Sequence, residues 1–228
     1  MADGIRIGRK RVERLMRQAA ITGMVRRRRG RTTISVPGVR VCEDLVDRRF
    51  LAAAPNRLWV ADITYLRTWE GWLYLVAVQD VYSRRIVGWS MADHMRTELV
   101  TDALRMALAQ RRPAPALIWH SDQGSQFVSL AFGQQARAAG IAQSMGSRGD
   151  CYDNAVAESF FATLKKELVH GRSWPSKAEL RSEVFEYIEV FFNRRRRHST
   201  LGFLSPAQFE TITDTTTEKI TTTTVALA

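Results

Sequence analysis

The stretch Leu58-Trp-Val-Ala-Asp-Ile-Thr-Tyr-Leu-Arg67 decides how the rest of this chain is read. It is rich in apolar, aromatic and β-branched residues and follows Pro55, so it predicts a strand. Asp62 interrupts it. A carboxylate in mid-strand is costly to bury unless it is paired or binds a metal. A second β-prone run, Leu117-Ile-Trp-His-Ser-Asp122, ends on another aspartate as it enters the turn Gln123-Gly-Ser125. A rigid scaffold commonly exposes functional side chains at such strand ends. A third acid, Glu158, lies in a helical pattern, with thirty-five residues between it and Asp122, and Lys165 follows one heptad later.

Two strands and a helix can gather three such acids into the oxygen-rich setting that Mg²⁺ prefers. Two metals held in that way can clamp the attacking and leaving oxygens of a phosphodiester exchange. On the third segment, Val156, Ala157, Phe160, Phe161, Leu164 and Leu168 make a broad apolar helix face. Glu158 falls on its edge, and Lys165 falls about 20° from Glu158 two turns on, placed to meet a phosphate. Each residue also has a plain structural reading: an outward acid on a strand for Asp62, a turn residue for Asp122, a solvated helix rim for Glu158 and Lys165. Asp80, Asp93, Asp102, Asp150 and Asp153 are competing carboxylates. They rank lower because their surroundings match structural roles: Asp80 ends a strand and Asp153 suits a helix N-cap.

Working outward, Trp72–Gln79 and Ile86–Met91 predict two further strands, joined by turns at Glu70-Gly71 and Ser83-Arg84. Thr97–Gln110 is an amphipathic helix stopped by Pro113 and Pro115. Leu117–His120 is a strand, Leu130–Ala139 a helix and Ile141–Met145 a short strand. A polar loop, Gly146–Cys151, leads to helices at Asp153–Val169 and Lys177–Phe192. The order β-β-β-α-β-α-β-α-α suits an α/β fold with a mixed five-stranded sheet flanked by helices.

The 228-residue chain carries a net charge of +11, unevenly placed. Residues 1–50 hold fourteen Lys/Arg against five Asp/Glu, while the remainder is nearly neutral. A basic arm on a neutral body is a nucleic-acid footprint. Within it, Val12, Leu15, Met16, Ala19 and Ala20 recur at helical spacing, with Arg9, Lys10, Arg14 and Arg17 largely on other faces. Such a short helix cannot bury its stripe alone, so residues 1–25 read as part of a helix-turn-helix DNA-binding segment. Residues 26–55 read as a basic linker in which Arg26, Arg27, Arg28 and Arg29 meet DNA, residues 56–210 as the core, and the Thr-rich residues 211–228 as a disordered tail. No apolar run approaches a membrane span, and no signal-peptide core is present, so the expected location is the cytoplasm, at the nucleoid. Cys42 and Cys151 are too few for a disulfide framework or a zinc site.

Four separated segments now carry a resemblance. Trp59-Val-Ala-Asp-Ile-Thr-Tyr65, His120-Ser-Asp-Gln-Gly-Ser-Gln-Phe127, Ser147 through Glu167 and Phe192 through Pro206 resemble the integrase-core transposases of bacterial insertion sequences. The nearest group is that of the third insertion sequence, related to retroviral integrase. The resemblance spans roughly residues 5–210. It implies an RNase H-like fold and an Asp-Asp-Glu triad at Asp62, Asp122 and Glu158 that holds two Mg²⁺ ions, with Mn²⁺ as a substitute. It implies metal-dependent nicking at insertion-sequence ends and attack of the freed 3′-hydroxyl on target DNA, with no covalent protein–DNA intermediate. The family's following basic residue maps onto Lys165. The partners implied are transposon ends and target DNA. Because two ends must be joined, a homo-oligomer on DNA is expected. The family's helix-turn-helix is longer than residues 1–23 supply, which points to an upstream-frame helix-turn-helix protein as a further partner.

Several other residues admit two readings. Arg194, Arg195, Arg196 and Arg197, with His198, either grip the DNA backbone or act on the end of the preceding helix. Arg148 and Asn154 either contact substrate or order their loop. His120 is read as a core hydrogen-bonding residue, and Trp59, Trp72 and Trp89 as core rather than base-stacking groups. Two alternatives stand beside transposition. One is an RNase H-type nuclease that does not join strands. The other is an inactive DNA-binding remnant or regulator.

Overall fold

The computed structural model describes residues 7–22, 42–47, 49–146 and 155–214. The chain divides into two compact units, Met1–Val36 and Pro37–Ala228. In the first, α1 (Arg9–Gln18) forms where the helical spacing places it and buries none of its residues. Val12 and Leu15 remain exposed. Residues 26–29 lie outside the described residues, and no helix-turn-helix is seen among those described.

In the second unit, β1 (Leu58–Thr68), β2 (Gly71–Asp80) and β3 (Ile86–Ala92) form an antiparallel meander. β4 (Ile118–Ser121) and β5 (Ala142–Met145) add to the other side of β1 in parallel. The sheet order is β3-β2-β1-β4-β5. The turn to parallel pairing follows from the connections: a tight hairpin reverses the chain, whereas α2 (Thr97–Arg111) and α3 (Leu130–Ala138) serve as crossovers that return it in the same direction.

Strand alternation sorts β1 into two faces. Trp59 and Ala61 join Leu99, Val100, Ala103, Leu104, Trp119, Phe127 and Phe132 in the core beneath α2 and α3. Leu58, Val60 and Leu66 face the opposite layer, made by α4 (Ala155–Leu164) and α5 (Lys177–Glu186). Trp59, Trp119, Phe127 and Phe132 are essentially inaccessible, and burial of each such ring is worth about 3 kcal/mol before entropy is counted. Contact between α2 and β3 requires Gly88, because a β-carbon there would stand 2.4 Å from the carbonyl oxygen of Ala103 and 2.7 Å from the Ala107 β-carbon.

Both long C-terminal helices change pitch, which periodicity did not indicate. α4 passes into a π-helical turn at Lys165–Val169, and α5 into another at Tyr187–Phe192. The His170 and Asn193 amides reach back five residues, to the carbonyls of Lys165 (2.7 Å) and Ile188 (3.0 Å). Buried Asn193 then grips β3, accepting from the Ile86 amide and donating to the Ile86 carbonyl, both at 2.9 Å.

Three further readings change. Residues 42–47 and 49–55 do not stand off as a linker. Val46 is buried with Phe50 and Ala52 against Val60 and α4, and the Leu45 amide donates to Ser144 Oγ at 2.9 Å. A helix at residues 206–214, α6, runs past Thr211 into the segment expected to be disordered. Glu210 anchors α6 by a two-pronged pairing with Arg111 (2.8 and 2.9 Å), by Arg85 (2.7 Å) and by Ser83 (2.7 Å). Finally, Trp72 is exposed rather than core, because it lies at the outer end of the β1–β2 hairpin.

Candidate active site

Asp62 and Asp122 are brought together by strand register. Parallel pairing of β1 with β4 ends at Ala61 opposite Ser121, so each aspartate is the next residue along the chain, Asp62 within β1 and Asp122 just past β4. Alternation puts Asp62 on the face of Val60 and Leu66, the face that α4 covers. α4 is fixed there by Val156 and Ala157 against Val60, and by Phe160, Phe161 and Leu164 against Leu66. Glu158 is on the same helix, exposed between these anchors.

The electrostatics show the convergence. The Asp62 carboxyl is pushed up to about 8, first by burial, then by the negative charge of Asp122 and, less strongly, Glu158. The Ile63 amide, which donates to Asp62 Oδ1 at 2.7 Å, and the Lys165 ammonium oppose that rise. Burial also raises Asp122, against the Gly124 amide that donates to Asp122 Oδ1 at 3.1 Å. Glu158 is raised by partial desolvation. Gly124 matters for space: a β-carbon there would come within 3.0 Å of Asp122 Oδ1.

Carboxylate oxygens are the donors that Mg²⁺ takes, and a cation would offset the repulsion that raises Asp62. Yet among the described residues no three His, Cys, Asp or Glu side chains stand close enough to hold a metal ion. The acids as placed form a negative focus rather than a closed cage. In chemical type the residues fit a divalent ion.

The other expected residues separate into groups. Lys165 reaches the site: its Nζ lies 5.0 Å from the centre of the Tyr65 ring, and its charge is felt at Asp62. His120 is buried, with Nδ1 2.9 Å from Ser144 Oγ and its ring edge-on to Phe50, which is the core role read for it. Arg196 is engaged within the fold, pairing with Glu167 at 2.9 Å, and Glu167 also accepts from the Tyr187 hydroxyl at 2.6 Å. Arg194, Arg195 and Arg197 are exposed. Arg148 and Asn154 lie outside the described residues, as do Asp150 and Asp153. Asp80 has the structural role read for it. It is fully buried, accepts from the Asn56 and Tyr82 amides at 2.7 and 2.9 Å, and lies 3.4 Å from Arg111. Sequence reasoning did not single out Tyr65 or Gly124. The available signals were an outward strand position three residues after Asp62 and a glycine two residues after Asp122.

A mixed sheet in this order, with one acid in the middle of β1, one just past the end of β4 and one on the covering helix, defines the integrase-core class within RNase H-like folds. Residues 52–151 and 158–213 each match a family described as integrase core domain. The chain is 43% identical over 209 residues to transposase InsF for insertion sequence IS3A of Escherichia coli (strain K12), covering 92% of this chain and 73% of that protein. It is also 43% identical over 207 residues to a 31 kDa protein of insertion element IS600 from Shigella sonnei, covering 91% and 76%. Among solved structures, the HTLV-2 integrase catalytic core domain in complex with magnesium superposes with a TM-score of 0.54 at 16% identity, covering 70% of this chain and 99% of that one. A chain of the simian T-cell lymphotropic virus intasome gives 0.58 at 16% identity, covering 77% and 60%. The chain belongs to the integrase-core transposases of the IS3 type. That membership favours transposition over the simple-nuclease and inactive-remnant alternatives.

Proposed function

We propose that Asp62, Asp122 and Glu158 are the catalytic, metal-binding triad of this transposase, and that it nicks DNA at insertion-sequence ends and then transfers the freed 3′-hydroxyl to target DNA. The observation that carries this reading is the strand register that sets Asp122 beside half-buried Asp62, with Glu158 on the facing helix and the charges of Asp122, Glu158 and Lys165 all felt at Asp62. A structural acid gains nothing from two like charges beside it, whereas a cation-binding acid does.

The three acids would hold two Mg²⁺ ions, with Mn²⁺ as a substitute; when bound, such ions activate the attacking oxygen and stabilise the leaving one. Asp62, fixed in mid-strand, and Asp122, fixed by the Gly124 amide, provide the rigid side of the site. Glu158 comes from the facing helix. Lys165 meets a phosphate beside the reacting one. In nicking, water breaks the phosphodiester to leave a 3′-hydroxyl and a 5′-phosphate; in transfer, that 3′-hydroxyl attacks a target phosphodiester and releases the target's own 3′-hydroxyl, and neither step needs a covalent link to the protein.

DNA is also met by exposed Arg194, Arg195 and Arg197, by Arg148 and Asn154, and by Arg26, Arg27, Arg28 and Arg29 of the basic arm. The N-terminal helix contributes to end recognition, together with an upstream-frame helix-turn-helix protein. Joining two ends requires a homo-oligomer assembled on DNA, acting at the nucleoid.

The test uses branched DNA that mimics a strand-transfer product, incubated with Mg²⁺ or Mn²⁺. Resealed target plus a released end, lost in Glu158→Gln, supports the proposal. Binding without product by the wild-type protein overturns it.

A further inference from the structure

We infer that the exposed rings of Tyr65 and Trp72 form a stacking platform for unpaired bases of the DNA strand processed at Asp62, which rests on the reading of that site as a DNA-processing one. Tyr65 is 50% exposed and Trp72 40% exposed, on a hairpin whose inner residues Leu66, Leu73 and Leu75 are buried. Their rings meet edge to face, with centres 5.1 Å apart. Each ring carries a cation: Lys165 Nζ lies 5.0 Å from the centre of Tyr65, and the Arg67 guanidinium lies 5.1 Å from that of Trp72. Arg67 and Trp72 are direct cross-strand partners, and Trp69 at the hairpin tip adds a third ring at 75% exposure.

Water-exposed aromatic faces lined with cations match the chemistry of single-stranded nucleic acid. Bases stack on the rings, and the cations meet phosphates. A duplex offers its base faces to no side chain, so the rings select an unpaired strand.

The rings lie on the β1 face opposite Asp62, and the open edge of β1 joins the two. Tyr65 follows Asp62 by three residues on β1, and Lys165 sits over the Tyr65 ring while its charge is felt at Asp62. Pairing with β4 ends at Ala61, so β4 does not cover β1 between Asp62 and Tyr65. A strand leaving Asp62 can cross that edge and reach the rings. The occupant is therefore the few unpaired nucleotides flanking the scissile phosphate, and the rings are positioning residues.

The experiment measures the affinity ratio between a labelled oligothymidylate and an abasic strand of equal length, for the full chain without metal. This ratio isolates the base contribution from the basic arm. Tyr65→Ala and Trp72→Ala should each lower the ratio about tenfold, in line with the usual strength of base–aromatic stacking. Tyr65→Phe should keep it, and affinity for blunt duplex should hold in all three variants. With wild-type protein, abasic residues beside the junction of branched DNA should raise KM rather than lower kcat, a readout independent of how well any variant folds. An oligothymidylate preference that survives both alanine variants, or is lost equally in Tyr65→Phe, overturns the platform. A wild-type protein that shows the ring-dependent preference yet never reseals branched DNA overturns the catalytic reading alone. Resealing that ignores abasic sites and both alanine variants overturns the platform alone.

Discussion

Asp62 and Asp122 are neighbours across a parallel strand pair, each one residue beyond the last paired positions, Ala61 and Ser121. The register of the sheet therefore sets the two charges side by side. Their repulsion adds to burial in holding the Asp62 carboxyl at about 8.

A pH dependence follows. The folded protein keeps a proton on Asp62 that the unfolded chain releases near the ordinary aspartate value of about 4. The contribution is fully present below pH about 4 and is lost as pH rises towards about 8, on the order of a few kcal/mol. Urea unfolding at pH 5 and pH 8 should show the metal-free wild type weakening across that window more than Asp62→Asn. An identical pH dependence in the two proteins would contradict the raised carboxyl.

Added Mg²⁺ should raise the melting temperature of the wild type at pH 8 and leave that of Asp62→Asn nearly unchanged. At a hundredfold excess over Kd the gain is about 2.7 kcal/mol. Calorimetric scans with and without Mg²⁺ make the comparison, and equal shifts in both proteins would remove Asp62 from the metal site.

Gly124→Ala places a β-carbon 3.0 Å from Asp122 Oδ1 and 3.4 Å from the Phe127 ring. The expected outcome is a loss of resealing activity of about tenfold or more, since small misplacements at a reacting centre are amplified. Stability should change by only about 1 kcal/mol. Activity and urea midpoint measured on the same preparation distinguish this from general unfolding.

Gly88→Ala should do the reverse. Backbone atoms of α2 lie 2.4 and 2.8 Å from the added carbon, so helix and sheet must part, at a cost of about 3 kcal/mol. Activity per folded molecule should hold while the urea midpoint falls.

Arg195→Ala and Arg196→Ala should separate in kind. Arg195 is exposed, and its loss should reduce the slope of log binding constant against log salt by about 1 without changing stability. Arg196 pairs with Glu167, so its loss should lower stability more than it alters that slope. DNA titrations at several salt concentrations, beside thermal melts, decide it.

The strands, helices and their order were legible because alternation and helical spacing are local patterns. β1, β2, β3 and α2 fall within a residue or so of their predicted bounds. The π-helical turns at Lys165–Val169 and Tyr187–Phe192 were not legible, because one extra residue in a turn leaves the apolar spacing almost intact. The packing of residues 42–47 and 49–55 depends on distant partners such as Ser144, which no local pattern encodes.

By itself the sequence determined that Asp62 and Asp122 are acids at strand positions and that Glu158 is an acid on a helix edge, since residue type and period are properties of a segment. Only the tertiary structure decided that β4 stops at Ser121 beside Ala61, so that the two aspartates face one another's charge. It alone turned Arg196 inward to Glu167 and set Trp72 out in solvent beside Tyr65. The physical reason is range: hydrophobic spacing acts over a few residues, whereas register, ion pairing and exposure are settled by which distant surfaces meet.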